Sequence, residues 1–353
     1  MKKNILIAGG AGFVGANLAV FLKKRLKGSR IICFDNLIRK GSRLNVERLK
    51  DCGIRFIKGD IRDRKRFFAL KNVDCIIDCS AEPSVLAAYR DPGYTIDTNL
   101  AGTVNCLDLA RREKADFIFL STSRVYPIAP LEAIPFKEYK TRFDWQKNNR
   151  REGCSFEGIN HTFPLNGVRS LYGASKLAAE HIALEYFDMF SIRGVINRFG
   201  IIAGPWQMGK TDQGIISFWI AGHMYQKKLS YIGFGGEGKQ VRDALHIDDA
   251  CELILYQLNH LKNLDGRVFN AGGGRRNSFS LCELTTLLAD MTKTRMKIGS
   301  VKKNRNSDVR IYITDNSFVT KKTGWFPKKN LEAIVSDTQH WIASHREELA
   351  GIL

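Results

Sequence analysis

The stretch Asn4-Ile5-Leu6-Ile7-Ala8-Gly9-Gly10-Ala11-Gly12-Phe13-Val14-Gly15 joins a short apolar run to glycines at every third position, and a helical pattern, Ala16–Lys27, follows it. The apolar run reads as a buried strand. A helix that opens directly after a glycine-rich turn offers its first backbone N–H groups, at the positive end of the helix dipole, to an anion. Glycine lets a diphosphate approach that backbone closely. The segment therefore predicts strand, turn and helix, with Gly9, Gly12, Phe13, Val14 and Gly15 forming an anion cradle. The same run, Ile5 to Leu22 behind Lys2-Lys3, imitates a signal peptide. The glycines, and the change from a strand-like to a helical pattern, favour the folded reading. No other stretch is long and apolar enough to span a membrane.

Working outward, Arg30–Phe34, Ile54–Ile57, Cys75–Asp78 and Asp116–Leu120 read as further short buried strands, with Val195–Phe199 as a sixth. Helical patterns such as Asn99–Arg112 and Ser170–Phe187 lie between them. Such alternation predicts an α/β fold: a doubly wound parallel sheet of Rossmann type, with right-handed crossovers. Residues 1–200 are expected to form the dinucleotide-binding domain. Residues 201–353, where the pattern loosens, are expected to form a smaller substrate-binding region, with some segments returning to the first domain. Residues 137–170 are polar and irregular and read as a long surface or lid-like loop.

The second strand ends in Asp35, about the expected distance beyond the glycines. A carboxylate there accepts hydrogen bonds from adenosine ribose hydroxyls and repels a 2′-phosphate, which favours NAD. Arg39, Lys40 and Arg43 pull mildly toward NADP. Asp60-Ile61, after the third strand, is placed to meet the adenine, and Ser80-Ala81-Glu82, after the fourth, to line the diphosphate and ribose. A rival nucleotide motif, Gly204-Pro205-Trp206-Gln207-Met208-Gly209-Lys210-Thr211, satisfies the Walker A pattern literally. Pro205 and Trp206 fit poorly in a loop that must wrap its amides round phosphates, and no Walker B strand follows.

Tyr172-Gly-Ala-Ser-Lys176 puts a phenol and an ammonium on one helix face, one turn apart. A phenol ordinarily titrates near pH 10, but a neighbouring lysine and an oxidised nicotinamide both favour the phenolate. It can then take the proton from a sugar hydroxyl while hydride leaves the carbinol carbon. Thr122 or Ser123, at the end of the fifth strand, can orient that hydrogen bond.

In this order the residues resemble the extended short-chain dehydrogenase/reductase family over essentially the whole chain, and within it the NAD-dependent nucleotide-sugar epimerases. Phe34-Asp35-Asn36-Leu37-Ile38-Arg39-Lys40-Gly41, Asp212-Gln213-Gly214, Gly238–His246 and Asn304–Asp308 carry that likeness. The resemblance implies that Thr122, Tyr172 and Lys176 are catalytic. It implies that Asn36, Arg39 and Asn99 join the cofactor set, together with Tyr172 and Lys176. It places Glu82, Ser123, Arg198, Gln213, Gly214, Gln240, Arg242, Arg305 and Asp308 around a nucleotide-diphosphate sugar. Arg242, Arg305 and Asp308 would hold its diphosphate and ribose, which suits guanidinium chemistry. It further implies inversion at carbon 2 of a CDP-linked deoxyhexose, with carbon 4 of a UDP- or other NDP-hexose as the rival, and a homo-oligomeric assembly. Two departures stand out. Val125-Tyr126-Pro127 replaces the family's Val-Tyr-Gly. Ser123-Arg124 stands where 4,6-dehydratases carry an acidic pair, which argues against dehydration.

With 55 Lys+Arg against 36 Asp+Glu the net charge is +19, which suits phosphorylated or other polyanionic partners. The basic residues are scattered rather than striped, so no nucleic-acid partner is expected. A nucleotide-sensing or RNA-binding role on the same fold is the reading from another class. The intact Thr122/Tyr172/Lys176 set argues against it. Eight cysteines sit mostly in apolar runs, without a CxxC pair or zinc spacing. They read as reduced thiols of a cytoplasmic protein with no metal site.

Overall fold

A computed structural model describes residues 2–148, 151–210 and 212–353 of the protein. The chain divides into two units. The first comprises Met1–Val125, Leu171–Arg198 and Ala250–Phe269. The second comprises Tyr126–Ser170, Phe199–Asp249 and Asn270–Leu353.

The first unit is built on seven strands: β1 (Asn4–Ala8), β2 (Arg30–Asp35), β3 (Arg55–Lys58), β4 (Cys75–Asp78), β5 (Asp116–Thr122), β6 (Gly194–Phe199) and β7 (Arg267–Ala271). They lie in the order β7-β6-β5-β4-β1-β2-β3. The pairs β1–β2, β1–β4, β2–β3 and β4–β5 are parallel. The order reverses at β1, so the carboxyl ends of β1 and β4 border the crevice where ligands of doubly wound sheets bind. The α/β doubly wound reading is thereby borne out. The strands are aliphatic because helices cover both faces: Ile5, Leu6 and Ile7 are wholly buried, as are Phe117, Ile118 and Phe119. Phe34 meets Phe67 edge-on, ring centroids 5.0 Å apart, and Phe117 meets Phe187 at 6.2 Å. The run that imitates a signal peptide forms β1 and most of the helix Phe13–Arg25.

In the second unit, Val241–His246 pairs parallel with Ile201–Ala203 and antiparallel with Ser278–Ser280, and Ser230–Ile232 pairs parallel with Gly299–Val301. The segment 137–170 departs from the expected loop. Phe136–Glu138 and Phe143–Trp145 form a hairpin. Phe143, Trp145, Ile159 and Phe163 are buried, and Ile159 bridges Thr314. Four widely spaced apolar anchors suffice to seat a polar stretch that shows no periodicity; residues 149 and 150 lie outside the described residues. The literal Walker A stretch does not open a helix. Gly204 and Trp206 take positive φ, the backbones of Lys210 and Gln213 pair across a tight turn, and the helix starts only at Ile215. Thr211 lies outside the described residues. Among the described residues no helix is long and apolar enough to cross a membrane.

Candidate active site

The cofactor-side groups all belong to the first unit. Gly12 is the N-cap of the helix Phe13–Arg25, which carries no side-chain cap and no acidic residue in its first turn. Those N–H groups therefore suit an anion. The four glycines differ in what surrounds them. A Cβ on Gly9 would strike Ser80 at 2.8 Å, one on Gly10 would strike Cys33 at 2.5 Å, and one on Gly15 would strike the Gly9 carbonyl at 2.3 Å. Gly9 also has φ +70°, which disfavours any side chain. A Cβ on Gly12 would meet only the Gly9 carbonyl, at 3.2 Å. Gly12, Phe13 and Val14 keep partial exposure while Gly15 is buried. So three glycines pack the turn and Gly12 faces outward, an arrangement that fits a dinucleotide diphosphate. Asn45 braces the turn by donating to the Ala11 carbonyl at 3.0 Å.

Asp35, at the end of β2, accepts from the Ala11 N–H at 3.1 Å and the Leu37 N–H at 2.8 Å. Burial raises its pKa, and these backbone donors oppose the rise. Asp60 takes a forked pair from Arg62, Nε at 2.9 Å and Nη2 at 2.8 Å, and a bond from Asn36 Nδ2 at 2.9 Å. The Arg62 hydrogen bond is the largest influence on Asp60 and carries its pKa down to about 2. Ile61 is buried, its carbonyl taken by Asn105 Nδ2 at 2.8 Å. Arg39 and Ala81 are half-buried.

At the end of β4, Asp78 is fully buried; it accepts from the Ser80 hydroxyl and N–H on one oxygen and from Thr103 Oγ1 at 2.8 Å on the other. Asn99 does not start an α-helix as the pattern suggests. It sits in a single π-helical turn, Asp97–Ala101, ahead of the helix Gly102–Glu113. Such bulges recur at functional sites. There Asn99 clamps the segment after β4: Oδ1 accepts from the Glu82 N–H at 2.8 Å, and Nδ2 donates to the Glu82 carbonyl and to Ser175 Oγ, both at 3.1 Å.

Tyr172 and Lys176 stand on the helix Leu171–Phe190, and Thr122 ends β5. The Tyr172 side chain is hydrogen-bonded to Thr122. Burial raises the phenol; Thr122 and the Arg124 charge lower it, and Glu82 raises it. Lys176, one turn further along the helix, is almost wholly buried. Its Nζ lies 3.9 Å from the centroid of the Phe119 ring, and burial, opposed by Asp78 and Glu180, lowers its pKa. Ser123 stays partly exposed in the turn Ser123–Val125.

The remaining candidates divide between the units. Arg198 is buried in the first, its Nε 3.0 Å and its Nη2 2.7 Å from Glu180 Oε2. In the second, Arg242 and Asp308 are brought together, Nη2 to Oδ1 at 2.6 Å, and Arg242 also donates to the Val309 carbonyl at 2.8 Å. Gln240 Nε2 donates to the Ile232 carbonyl at 2.7 Å. Gly214, at φ +65°, caps the helix that follows Gln213, and Arg305 is half-buried. Sequence reasoning passed over Asp78, Arg124, Glu180 and Asn45. Two of these carried a signal: Asp78 is a lone carboxylate closing an apolar strand, and Glu180 is four residues beyond Lys176 and eight beyond Tyr172.

A glycine cradle at the switch point of a doubly wound sheet, with a hydrogen-bonded Thr–Tyr pair and a lysine one turn on in the same unit, points to a dinucleotide-dependent enzyme that oxidises and reduces a carbinol carbon. More particularly, the chain belongs to the NAD dependent epimerase/dehydratase family, which it matches over residues 5–272. It is 31% identical to the CDP-paratose 2-epimerase of Salmonella typhi over 350 residues, 96% of this chain and 99% of that protein. It is 26% identical to the UDP-glucose 4-epimerase of Erwinia amylovora over 361 residues, 96% and 97% of the two chains. In fold it is similar to the UDP-glucuronic acid 4-epimerase of Bacillus cereus, solved with UDP-glucuronic acid and NAD: the TM-score is 0.80 at 23% identity, covering 97% of this chain and 99% of that one. The protein is an NAD-dependent enzyme acting on a nucleotide sugar, of the epimerase/dehydratase type.

Proposed function

We propose that the protein inverts carbon 2 of a CDP-linked deoxyhexose, of the CDP-paratose to CDP-tyvelose kind. The Thr122–Tyr172 hydrogen bond, within a dinucleotide-binding unit, is the observation that carries the reading. The near full-length likeness to a CDP-paratose 2-epimerase supports the choice of carbon and base. Gly12, Phe13 and Val14 would hold the NAD diphosphate, and Asp35 and Lys176 its two riboses. NAD, when bound, supplies a hydride acceptor that later returns the hydride. Tyr172 takes the proton from the sugar hydroxyl as the carbon is oxidised, and gives it back after the keto sugar has turned over its other face. Thr122 fixes the phenol oxygen while the proton moves. The turn Ser123–Val125 carries no carboxylate, which speaks against elimination of water. In the second unit, Arg242, Arg305 and Asp308 would hold the nucleotide diphosphate and ribose. All eight cysteines are free thiols and five are buried, which supports a cytoplasmic setting. A homo-oligomer goes with the same reading.

Conversion of CDP-paratose in deuterium oxide, followed by NMR and by NADH absorbance, tests the proposal. The expected product is inverted at carbon 2, still protonated there, with no net NADH. Tyr172→Phe should abolish turnover and leave NAD affinity unchanged. Deuterium at the inverted carbon would refute hydride return. Conversion of UDP-hexoses alone would move the activity to carbon 4, the reading that the UDP-sugar 4-epimerase relatives favour.

A further inference from the structure

The N-terminal ends of β2 and β3, at the end of the sheet away from the glycine cradle, border a cavity of about 420 Å³ beside the last turn of the helix Phe13–Arg25. That helix has 13 residues, so cavity and cradle stand about 20 Å apart. Three cations from three elements line the cavity: Lys23 from the helix, Arg30 from β2 and Arg55 from β3. The register puts both arginines on one face, because Arg55 is the partner of Ile32 and Arg30 stands two residues before Ile32. A Cβ on Gly28 would come 3.0 Å from Lys2 Cε, so the stem of a fourth cation passes the rim. No carboxylate lines the cavity. Among the described residues Lys23, Arg30 and Arg55 form no ion pair. Basic residues close by that have a carboxylate in reach do pair: Arg25 with Glu252 at 3.0 Å, Lys50 with Glu47 at 3.3 Å and Lys3 with Asp116 at 3.5 Å. The helix dipole accounts for Lys23 in a last turn. It accounts for neither arginine, and like charges held side by side on neighbouring strands weaken a sheet.

We infer that this cavity is a second anion site, for a compact phosphate-bearing molecule, separate from the cofactor cradle and from Tyr172. Guanidinium forks match phosphate oxygens bidentately, and a bound phosphate would relieve the repulsion between them. The cavity has the size of a small-molecule site, roughly 300–1,000 Å³. Its walls leave the space open: Gly28 and Gly53 bring no side chain, and a Cβ on Gly53 would meet nothing within 4 Å. A concave wall suits a small di- or triphosphate better than the flat face of a lipid bilayer. The site does not depend on which sugar the enzyme converts.

The test needs no substrate. Inorganic pyrophosphate is titrated calorimetrically, in phosphate-free buffer, into the NAD-loaded enzyme and into the double variant Arg30→Gln/Arg55→Gln. Both arginines are exposed, so the variant keeps its core, and anion taken up elsewhere adds equally to both curves. The wild type should bind one pyrophosphate that the variant binds at least about tenfold more weakly, the loss expected for a single charge-assisted contact. Without anion the variant should melt at or above the wild-type temperature, because a repulsion has gone; Arg55→Gln alone carries the comparison if the double variant does not fold. Equal binding of pyrophosphate by wild type and variant overturns the inference. So does a variant that melts well below the wild type without anion, since the arginines would then be holding the fold. A wild type that binds no pyrophosphate but floats with phosphatidylglycerol vesicles, where the variant does not, would overturn it in favour of a membrane surface.

Discussion

Replacing Gly12 and Gly15 in turn by alanine separates the two uses of glycine in the first turn. At Gly15 the new methyl would stand 2.3 Å from the Gly9 carbonyl oxygen and 2.9 Å from Gly10 Cα, both backbone atoms that cannot swing aside. Overpacking of that kind costs about 1–3 kcal/mol. At roughly 2–4 °C per kcal/mol the melting midpoint should fall by about 2–12 °C. Alanine's better helix propensity returns at most about 1 kcal/mol of this. At Gly12 the methyl would meet one carbonyl oxygen at 3.2 Å and otherwise open space, so folding should change by less than about 1 kcal/mol. That methyl, however, would occupy the ground over which a diphosphate reaches the uncapped N–H groups. Losing one hydrogen bond to a charged group costs about 1.5–3 kcal/mol, a ten- to hundredfold loss of affinity. Calorimetric melting without NAD and isothermal titration with NAD read the two effects apart. Gly12→Ala should melt like the wild type and bind NAD poorly; Gly15→Ala should melt early. A Gly12→Ala protein with wild-type NAD affinity would refute the placement of the diphosphate at Gly12. Equal melting of the two variants would refute the packing argument.

The buried pair Arg198–Glu180 should behave as an anchor: Glu180→Ala, which strands a buried guanidinium, should cost about 3–5 kcal/mol in urea denaturation. The double change Glu180→Leu with Arg198→Met should recover most of that, and a single-variant cost under about 1 kcal/mol would show that the pair carries no such weight. For Asp60 the folded pKa is depressed from 3.8 to about 2 by Arg62, so its contribution is present above pH 3.8 and is lost as pH falls through about 2. Arg62→Ala should therefore be less stable than the wild type at pH 5, with the gap closing across that window. Because Asp60 is only partly buried, screening keeps the gap under about 1 kcal/mol, and a gap that stays constant down to pH 2 would refute the assignment.

The legible parts of this chain are those where spacing alone fixes geometry. Five aliphatic runs and the glycine turn were enough to give β1 to β5: β4 and β5 are buried along their whole length, as a doubly covered strand must be, while the edge strand β3 exposes Arg55 and Lys58 and shows only a short apolar centre. Asp35 was placed at the end of β2, where the structure has it. Segments held by sparse contacts could not be read. The stretch 137–170 looks like a loop because its anchors, Phe143, Trp145, Ile159 and Phe163, follow no period. Asn99 looks like an ordinary helix start because a π turn costs one residue of register and leaves no mark in composition. The direction of a long side chain was equally hidden: Tyr172-x-x-x-Lys176 puts two groups on one face, but only the surrounding fold sends the ammonium toward Phe119.

That last point explains how one helix serves three tasks. Tyr172, Lys176 and Glu180 follow at intervals of four on Leu171–Phe190 and share a stripe against the sheet. Moving down the stripe, the phenol meets Thr122, the ammonium meets Phe119 with Asp78 and Glu180 nearby, and the Glu180 carboxylate meets Ser121 and Arg198. The partners Thr122, Ser121 and Phe119 are close neighbours on β5. A helix fixed along one strand by a buried ion pair cannot slide or turn without breaking it. The Arg198–Glu180 pair thus helps anchor the helix two turns from the phenol that meets Thr122.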